Sequence, residues 1–524
     1  MDHDALANAT VSADSPIANI RAASLSRQGG IHGDRSLSGA TPGGGPANHP
    51  PMQDASLSAQ LLKPLPSDAS ADRASPGAIA QPRWQRFYVP VRIKFTAALL
   101  VATAWAALSI RLSAPWLDEL AAWIGWSLAV FVVTFIAYVP GFMNAFLLAT
   151  IALDRRPRRE LPSHYPGVTV LIACYNEEAH IGDTLRSIVQ EDYPGELEVL
   201  ILNDGSTDDT VEAVHHAIRE LAPANAAKMR LVDYRKNAGK AAVLNRGLEL
   251  ATHDLVVTID GDSWLHHQAL RRIVERKISD PPGTCAVAGA VLVRNSRQTW
   301  LSRGQEWDYF HGIAAVKRMQ SMYHGTLVAQ GAFSLYEKQA LREVGGWPEC
   351  VGEDIVASWA LLKAGHRIGY AEDALLFTHV PETLRQFALQ RKRWSRGLIE
   401  AFVHHGSLLL KPRMTTLFIW WNLLFLPLDL VYTFAFIPGV VLAFFGHYQI
   451  AGIMTLAVLP LAALWNALIY RVQSRMFKRQ NLHVRRNISG FFFYVLGYSL
   501  VMQPVCVWGY FAELIGLRKQ WDTK

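Results

Sequence analysis

Long apolar stretches at both ends constrain this chain more than any other feature of its sequence. Residues 95–110 and 120–153 contain no Asp, Glu, Lys or Arg, and residues 415–445, 450–470 and 488–517 are almost as apolar. A helix of about 20 apolar residues crosses a bilayer, and a shorter one suffices where flanking Lys or Arg side chains reach the headgroups. The sequence therefore predicts two membrane helices within residues 83–160, with the second apolar stretch interrupted at Pro140-Gly141. It predicts three more within residues 411–524, or four if the last stretch, interrupted at Pro504, forms a hairpin.

The charges beside these stretches predict their orientation. The acidic Asp118 and Glu119 lie between the first two stretches, and basic residues lie on both outer flanks: Arg83, Arg86, Arg92, Lys94, Arg155, Arg156, Arg158 and Arg159. Because cytoplasmic loops are enriched in Lys and Arg, residues 161–410 are expected in the cytosol. The RRPRR cluster also has the RxxxR spacing of cyclic-dinucleotide-binding sites, but no domain the size of a β-barrel accompanies it.

The composition excludes several classes of protein. The residues are 50% hydrophobic and only 18% charged, which is too apolar for a disordered chain. The net charge of +7 comes mostly from basic residues beside apolar stretches, so nucleic acid is not an expected partner. Cys174, Cys285, Cys350 and Cys506 form no CxxC pair, which argues against a zinc site or a disulfide framework. Residues 1–82 contain no Phe, Trp, Tyr or Cys and are expected to form a disordered tail.

The central segment, residues 161–410, alternates two kinds of pattern. Short β-branched apolar runs occupy residues 168–173, 198–202, 230–233 and 255–260, and amphipathic stretches lie between them near 183–191, 208–221 and 240–250. Strands separated by helices of this length are typical of a doubly wound α/β sheet that is covered on both faces. Such sheets bind their ligands at the carboxyl ends of the strands.

Polar residues follow three of the four predicted strands. Tyr175, Asn176 and Glu177 follow the first strand, Asp204 ends the second, and Asp260 ends the fourth. Each cluster alone also fits a turn or a helix cap. Together, in this order, they resemble the donor site of GT-A nucleotide-sugar transferases, and these five residues are therefore candidate donor ligands.

The chemistry of such a donor predicts a metal ion. A departing nucleotide diphosphate develops negative charge, which Mg²⁺ or Mn²⁺ with oxygen ligands neutralises. Asp262 is the first candidate ligand, and Asp260 either shares the ion or reaches the ribose. Asp204 is expected to accept hydrogen bonds from the base or the ribose. Lys240 follows residues 237–239, where free backbone N–H groups at a helix start suit a phosphate or uracil; an ordinary helix start is the alternative.

Two later motifs supply further candidates. Glu353 and Asp354 open a predicted helix, where acidic residues also serve as caps. Gln390, Arg393 and Trp394 lie in an amphipathic stretch that leads into the next membrane helix. A basic interfacial helix, with its Trp among the lipid headgroups, is the alternative there.

The order of these motifs resembles the processive family-2 glycosyltransferases, which include cellulose, hyaluronan, chitin-oligosaccharide and poly-N-acetylglucosamine synthases. The resemblance covers residues 165–405: a double-Asp donor site, an E-D pair and then Q-x-x-R-W. It implies an α/β GT-A fold, a Rossmann-like doubly wound sheet, in a cytosolic domain inserted between transmembrane helices. It also implies that Asp354, with Glu353 beside it, is the catalytic base of an inverting displacement. Gln390, Arg393 and Trp394 would then clamp the acceptor and the pyrophosphate.

Residues 379–394, HVPETLRQFALQRKRW, are most similar to poly-β-1,6-N-acetylglucosamine synthases. Gly352 stands where those enzymes usually have Thr before E-D, a form seen in chitin-oligosaccharide synthases. Residues 330–334 lack the Cys that cellulose synthases carry at the acceptor entrance, which makes cellulose a less favoured product. The partners that the resemblance implies are a UDP-sugar, expected to be UDP-N-acetylglucosamine, a growing polysaccharide and the lipid bilayer. A small accessory membrane subunit is a further candidate.

Three functions remain open from the sequence. The chain could be a processive synthase that makes and exports its polymer, a transferase that adds one sugar to a lipid carrier or glycolipid, or an inactive scaffold. The intact Asp204, Asp260, Asp262 and Asp354 count against the scaffold. The Q-x-x-R-W motif and the flanking apolar stretches count against single addition, because a growing chain needs a clamp and a path across the membrane. The favoured prediction is a bacterial inner-membrane synthase of a β-linked polysaccharide.

Overall fold

The computed structural model of the protein describes residues 89–154, 161–482, 484 and 486–518. The expected disordered tail, residues 1–82, lies outside the described residues. So do Arg83, Arg86 and the cluster Arg155, Arg156, Arg158 and Arg159, on which part of the predicted orientation depends.

The first described helices lie where the sequence predicts the N-terminal membrane segments. They are α1 (Val91–Leu112), α2 (Ala114–Ile124), α3 (Trp126–Val133) and α4 (Val139–Ala152). A π-helical turn, Thr134–Tyr138, joins α3 to α4 in one continuous helix, and both this helix and α1 are long and apolar enough to span a membrane. The second apolar stretch is interrupted at Gly125, whose φ is 85°, so the interruption expected at Pro140 is wrong. The wide turn directly before Pro140 accommodates the missing N–H donor of proline, and the helix continues.

An eight-stranded mixed sheet forms the centre of the α/β domain. Its strands are β1 (Val168–Cys174), β2 (Leu197–Asp204), β3 (Met229–Tyr234), β4 (Leu255–Asp260), β5 (Trp264–Leu265), β6 (Thr284–Val293), β7 (Phe333–Glu337) and β8 (Arg367–Thr378). Their order is β3-β2-β1-β4-β7-β6-β8-β5. The first four strands pair in parallel, whereas β7 runs antiparallel to both β4 and β6. The four predicted strands are therefore confirmed, and the mixed half of the sheet is an addition to them.

Helices cover the sheet and connect its strands. They are α5 (Ile181–Val189), α6 (Thr210–Arg219), α7 (Pro223–Ala226), α8 (Lys240–Leu250), α9 (Ala269–Ser279), α10 (Trp300–Trp307), α11 (Ala314–Met322), α12 (Lys338–Glu343), α13 (Glu353–Ala364) and α14 (Leu384–His405). Successive side chains of β1 point to opposite faces: Ile172 belongs to the same buried cluster as Leu185 of α5, and Leu171 belongs to the same buried cluster as Leu244 of α8. Because helices cover both faces, β1 is apolar at every position except Thr169, in line with the apolar run in the sequence.

Five α-helices follow α14 in the described part of the chain. They are α15 (Met414–Val431), α16 (Ile437–Ala443), α17 (Ile453–Arg479), α18 (Ile488–Leu496) and α19 (Tyr498–Leu514). A π-helical turn joins α15 to α16, and the continuous helix Met414–Ala443 is the third candidate span. Residues 450–470 lie mainly in α17. The described residues thus contain three candidate spans, or up to four if α18 and α19, which are bent by 50°, cross as one.

The bend between α18 and α19 corrects one expectation. The last apolar stretch breaks at Gly497, whereas Pro504 lies inside α19. α18 packs on α10 of the α/β domain: the rings of Trp300 and Phe493 are 4.7 Å apart, and those of Trp307 and Phe491 are 5.1 Å apart. The number of C-terminal spans stays a prediction.

Candidate active site

Two of the predicted polar clusters meet because β1 lies beside β2 in the sheet. Cys174 at the end of β1 pairs with Asn203 of β2. Beyond the strands, the N–H of Asn176 donates to the Ser206 hydroxyl at 3.0 Å, and the N–H of Thr207 donates to Asn176 Oδ1 at 2.8 Å. Asn176 has a φ of 55°, a conformation that Asn adopts more readily than most residues. These bonds fix the two loops as one wall of the crevice.

The third cluster, after β4, closes against the same wall. The N–H of Glu177 donates to the Thr210 hydroxyl at 2.8 Å. A Cβ at Gly261, in the middle of the D-x-D turn, would lie 3.0 Å from Glu177 Cγ, so the small residue permits this contact. Tyr175, two residues before Glu177, is exposed. The structure thus brings Tyr175, Asn176 and Glu177 to the edge that also carries Asp260 and Asp262.

Asp204 binds the loop that precedes α8. Its carboxylate accepts hydrogen bonds from the N–H of Ala238 at 2.7 Å and of Gly239 at 2.9 Å. Burial raises the pKa of Asp204, although the two N–H donors oppose this. The sequence suggested that backbone N–H groups here are free for a phosphate, and for these two residues that is wrong. Asp204 as a direct donor ligand stays a prediction.

A cavity of about 520 Å³ opens beside this loop. It is lined by Asp233, Tyr234, Arg235, Lys236, Asn237, Ala238 and Arg246. The Arg246 guanidinium lies over the Tyr234 ring, 4.7 Å from its centre. A basic and aromatic lining of this kind suits an anionic ligand that carries a planar base.

Lys240, Asp260 and Glu353 form a charged cluster at the centre of the crevice. The Lys240 ammonium pairs with the Asp260 carboxylate, and it lies 4.0 Å from Glu353 Oε1. Burial opposes the Lys240 charge, but Asp260 and Glu353 together raise its pKa above the ordinary value. Burial and the neighbouring Asp354 raise the pKa of Glu353 to about 7. A Cβ at Gly331 would lie 2.9 Å from Lys240 Nζ, so Gly331 leaves room for this cluster.

Asp354 lies in the first turn of α13, and its carboxylate accepts two hydrogen bonds. Its Oδ1 accepts from the N–H of Ile355 at 2.7 Å, which is the capping role that any acid could fill here. Its Oδ2 accepts from the N–H of Gly331 at 3.2 Å, across the crevice. Capping alone therefore does not account for its position, because the second oxygen faces the loop beside Lys240.

The carboxylates after β4 fit a divalent cation that also binds phosphate oxygens. Asp262 Oδ1 accepts from the Thr378 hydroxyl at 3.3 Å, and Asp260 stands on the other side of Gly261. Among the described residues, no three His, Cys, Asp or Glu side chains form a complete metal site. A cation held by one or two carboxylates takes its other oxygens from water and from the diphosphate. The donor set fits such an ion.

Helix α14 carries the Q-x-x-R-W motif. It begins after Thr383, whose side chain and that of Gln386 cap each other's backbone N–H groups. Trp394 keeps 40% of its surface exposed, and the centre of its ring lies 6.2 Å from that of Tyr309. The buried Oε1 of Gln390 has no hydrogen-bond partner within the part of the chain described. The positive charge of Arg393 acts on Glu353 and opposes the rise in its pKa.

The same helix is docked onto the turn that carries Glu353 and Asp354. The buried Glu400 carboxylate accepts from the N–H of Val351 at 3.2 Å and of Gly352 at 2.8 Å. A Cβ at Gly352 would lie only 2.5 Å from Gly397 Cα. This close approach of two backbones requires glycine at position 352 and gives a physical reason for the G-E-D sequence. The predicted base and the predicted acceptor platform are thus held together.

Comparison with known proteins matches the same part of the chain. The model of the family "Glycosyltransferase like family 2" matches residues 166–397. A poly-beta-1,6-N-acetyl-D-glucosamine synthase of Staphylococcus aureus (strain COL) is 31% identical over 297 residues, which are 54% of this chain and 70% of that relative. The chain belongs to glycosyltransferase family 2. A synthase of the same name from Staphylococcus epidermidis is 33% identical over 254 residues, 48% of this chain but only 60% of that relative. The match thus spans less than two thirds of the second protein.

The fold of this family-2 glycosyltransferase also occurs in a solved structure. That structure is the mannosyltransferase PcManGT from Pyrobaculum calidifontis in complex with GDP-Man and Mn²⁺, with a TM-score of 0.53 and 20% identity. The likeness covers 74% of this chain and 99% of the mannosyltransferase. The predicted GT-A fold is confirmed.

Three residues of this family-2 site were not predicted from the sequence. Glu400 and Arg391 lie on α14 but act on distant elements, and neither has a local pattern that reveals its partner. Lys317 lies half-buried on α11, where burial lowers its pKa to about 7 although the nearby Asp354 opposes this. Arg391 alone carried a signal, as a basic residue three positions before Trp394.

Proposed function

We propose that this protein is an inverting glycosyltransferase that processively polymerises a β-linked polysaccharide from a UDP-sugar. The observation that carries the proposal is the docking of α14 onto the Glu353-Asp354 turn. Helix α14 holds the turn that carries the base, and it also carries the exposed aromatic side chain of Trp394. The chain leads from this helix to the candidate span Met414–Ala443. An acceptor sugar bound at Trp394 would lie between the donor site and the membrane.

The donor side of the reaction rests on Asp204, Asp260, Asp262 and Lys240. Asp262, with Asp260 beside it, would hold Mg²⁺ or Mn²⁺, which neutralises charge on the departing diphosphate. Lys240 supplies a positive charge next to this position, held there by Asp260. Asp204 fixes the loop that carries Lys240, through two backbone N–H groups. Tyr175, Asn176 and Glu177, together with the loop that follows Asp204, form one wall of the nucleotide site.

The acceptor side rests on Asp354 as the general base. An inverting displacement needs one carboxylate that takes the proton from the attacking hydroxyl, opposite the leaving group. Asp354 Oδ2 faces the crevice through its contact with Gly331. Glu353, whose pKa is raised to about 7, can hold a proton near neutral pH and keeps the negative charge beside Asp354 small. Asp354 is thereby left as the carboxylate that accepts the proton.

The Q-x-x-R-W residues would bind the acceptor and the product diphosphate. Trp394 offers an aromatic face on which a sugar ring can stack. Arg393 brings positive charge to the side of Glu353, where a departing diphosphate needs it. The buried Gln390 Oε1 is available to a hydroxyl of the sugar. A clamp of this kind favours repeated addition to one chain over release after a single sugar.

The relatives named poly-beta-1,6-N-acetyl-D-glucosamine synthase support N-acetylglucosamine as the sugar. With the candidate spans on both sides of the α/β domain, they also support a multi-pass protein of the bacterial inner membrane with its catalytic domain in the cytosol. The polymer would then cross the bilayer as it grows, with a small accessory membrane subunit as a candidate partner.

Incubation of membranes that contain the protein with a panel of radiolabelled UDP-sugars tests this function. We expect incorporation from UDP-N-acetylglucosamine into material of high molecular mass, and loss of incorporation when a chelator removes divalent cations. A product that is one sugar larger than a lipid acceptor would favour single addition instead. Binding of UDP-sugar without any turnover would favour an inactive scaffold.

A further inference from the structure

Arg391, three residues before Trp394, lies in a closed network of buried polar groups. Its Nη2 donates to Asp308 Oδ2 at 2.8 Å and to the Tyr498 hydroxyl at 2.8 Å. The Tyr498 hydroxyl in turn donates to the same Asp308 oxygen at 2.9 Å. Only 4% of the Arg391 side chain is exposed. Arg391 Nη2, the Asp308 carboxylate and the Tyr498 hydroxyl thus compensate one another for their removal from water, whereas the buried Nε of Arg391 has no hydrogen-bond partner among the described residues.

The same guanidinium covers one face of the Trp394 indole. Its Cζ atom lies 4.0 Å from the centre of the ring, the distance of a close cation–π contact. A planar guanidinium that two other groups hold in place also defines the plane of a ring stacked against it. The orientation of Trp394 thus depends on what holds Arg391.

The two groups that hold Arg391 come from different parts of the molecule. Asp308 begins the π-helical segment Asp308–Ile313, which follows α10 in the α/β domain. Tyr498 is the first residue of α19, directly after the bend at Gly497. The network therefore connects the helix that carries Trp394 both to the α/β domain and to the bent helix pair α18 and α19.

We propose that Arg391 is a positioning residue, which acts through Trp394 to hold the acceptor sugar in line with the donor. This inference rests on the proposed function, because it takes Trp394 as the acceptor platform. The Tyr498 hydroxyl and Asp308 act one step further away, by fixing the guanidinium. None of the three needs to touch the donor.

Two mild substitutions test this role. Arg391→Lys keeps the positive charge but loses the planar group that stacks on the indole. Tyr498→Phe removes one hydroxyl but keeps the ring that packs on Phe387, 5.6 Å away between centres. Lys392→Gln is the matched control on the same helix, because the Lys392 ammonium lies over Trp508 and outside the network.

The experiment measures the KM for the donor and the KM for the acceptor separately, in detergent-solubilised full-length protein. Radiolabelled UDP-N-acetylglucosamine is the donor, and a short β-linked N-acetylglucosamine oligosaccharide is the acceptor. For Arg391→Lys we expect the acceptor KM to rise about tenfold, with a smaller rise for Tyr498→Phe. The donor KM and the rate at which water hydrolyses the UDP-sugar should stay within about twofold of the values for the unaltered protein. Loss of a cation–π contact at the acceptor platform leaves the donor site intact. Polymer chains made by both variants should be shorter.

An unchanged acceptor KM and chain length in both variants would overturn the positioning role. A parallel loss of donor binding, acceptor binding and thermal stability in both would also overturn it, since that is the effect of a purely structural ion pair. If the unaltered protein adds only one sugar, the proposed polymerisation fails. The comparison of acceptor KM values still decides the role of Arg391 in that case.

Discussion

Replacement of Glu353 by Gln should stabilise the protein at alkaline pH and lower its activity. Glu353 is almost fully buried, and burial together with Asp354 raises its pKa from 4.5 to about 7. Gln has nearly the same shape but no charge. The substitution therefore removes the cost of a buried carboxylate while it also removes a group of the candidate active site, a combination typical of functional residues.

The size and sign of the effect follow from the two pKa values. A carboxyl group whose pKa is higher in the folded protein stabilises the fold most when it is protonated in both states, below pH 4.5. This contribution is lost as the pH rises through about 7, because the unfolded chain ionises first. The difference between about 7 and 4.5, at about 1.4 kcal/mol for each pH unit, gives about 3.5 kcal/mol. Most of that loss falls between pH 5 and 8, roughly 2.5 kcal/mol.

Thermal unfolding of the purified protein in detergent measures this effect. The Tm difference between Glu353→Gln and the unaltered protein should grow by several degrees from about pH 5 to about pH 8. Glu349→Gln is the matched control, since Glu349 precedes the same turn but is exposed, and it should give no such change. A Tm difference for Glu353→Gln that is equal at both pH values, or that shrinks toward alkaline pH, would refute the reasoning.

Three further substitutions separate the roles of the candidate residues. Asp262→Asn should abolish transfer. It should weaken UDP binding only when a divalent cation is present, which calorimetry with and without Mg²⁺ would measure. Near-normal activity of this variant would show that Asp262 is not a metal ligand. Asp354→Asn should lower turnover about 10²–10⁴-fold or more and leave UDP-sugar affinity intact; collapse of that affinity would identify Asp354 as a cap or donor ligand. Trp394→Ala should spare UDP-sugar binding and membrane insertion but stop elongation, with slow hydrolysis of the donor remaining. Full-length polymer from this last variant would make Trp394 a lipid anchor.

The first half of the sheet could be predicted because its strands carry a strong local signal. β1 and β4 are short, β-branched and apolar on both faces, as a strand between two layers of helices must be. β6 is different, because Ala and Gly occupy four of its ten residues and their pattern resembles a buried helix as much as a strand. Its place is set by pairing with β7 and β8, which are distant in sequence.

The candidate site could be predicted in its parts but not in its connections. Asp204 was recognised at a strand end, but its bonds to Ala238 and Gly239 depend on how a later loop folds back. Glu400 and Arg391 were not predicted, because their partners lie far along the chain and no sequence spacing joins them. These are the contacts that hold the base and the platform in place, and only the folded chain brings them together.

The apolar ends showed where helices form but not where they break. Pro140 and Pro504 looked like interruptions, yet both lie within helices, and the breaks occur at Gly125 and Gly497. The φ of 85° at Gly125 favours glycine, and the π-helical turn before Pro140 accommodates that proline inside the helix. The sequence alone carries no signal that predicts this π-helical turn.

Processive polymerisation is tested most directly by the length of the first products. Membranes that contain the protein would be given limiting radiolabelled UDP-N-acetylglucosamine, followed after a few seconds by an excess of unlabelled donor, and the labelled chains would be sized. Processive synthesis predicts that early label appears in a few long chains that keep growing during the chase, with no ladder of short intermediates. Label that stays in a product one sugar larger than its acceptor, or in short chains that all lengthen slowly together, would contradict it.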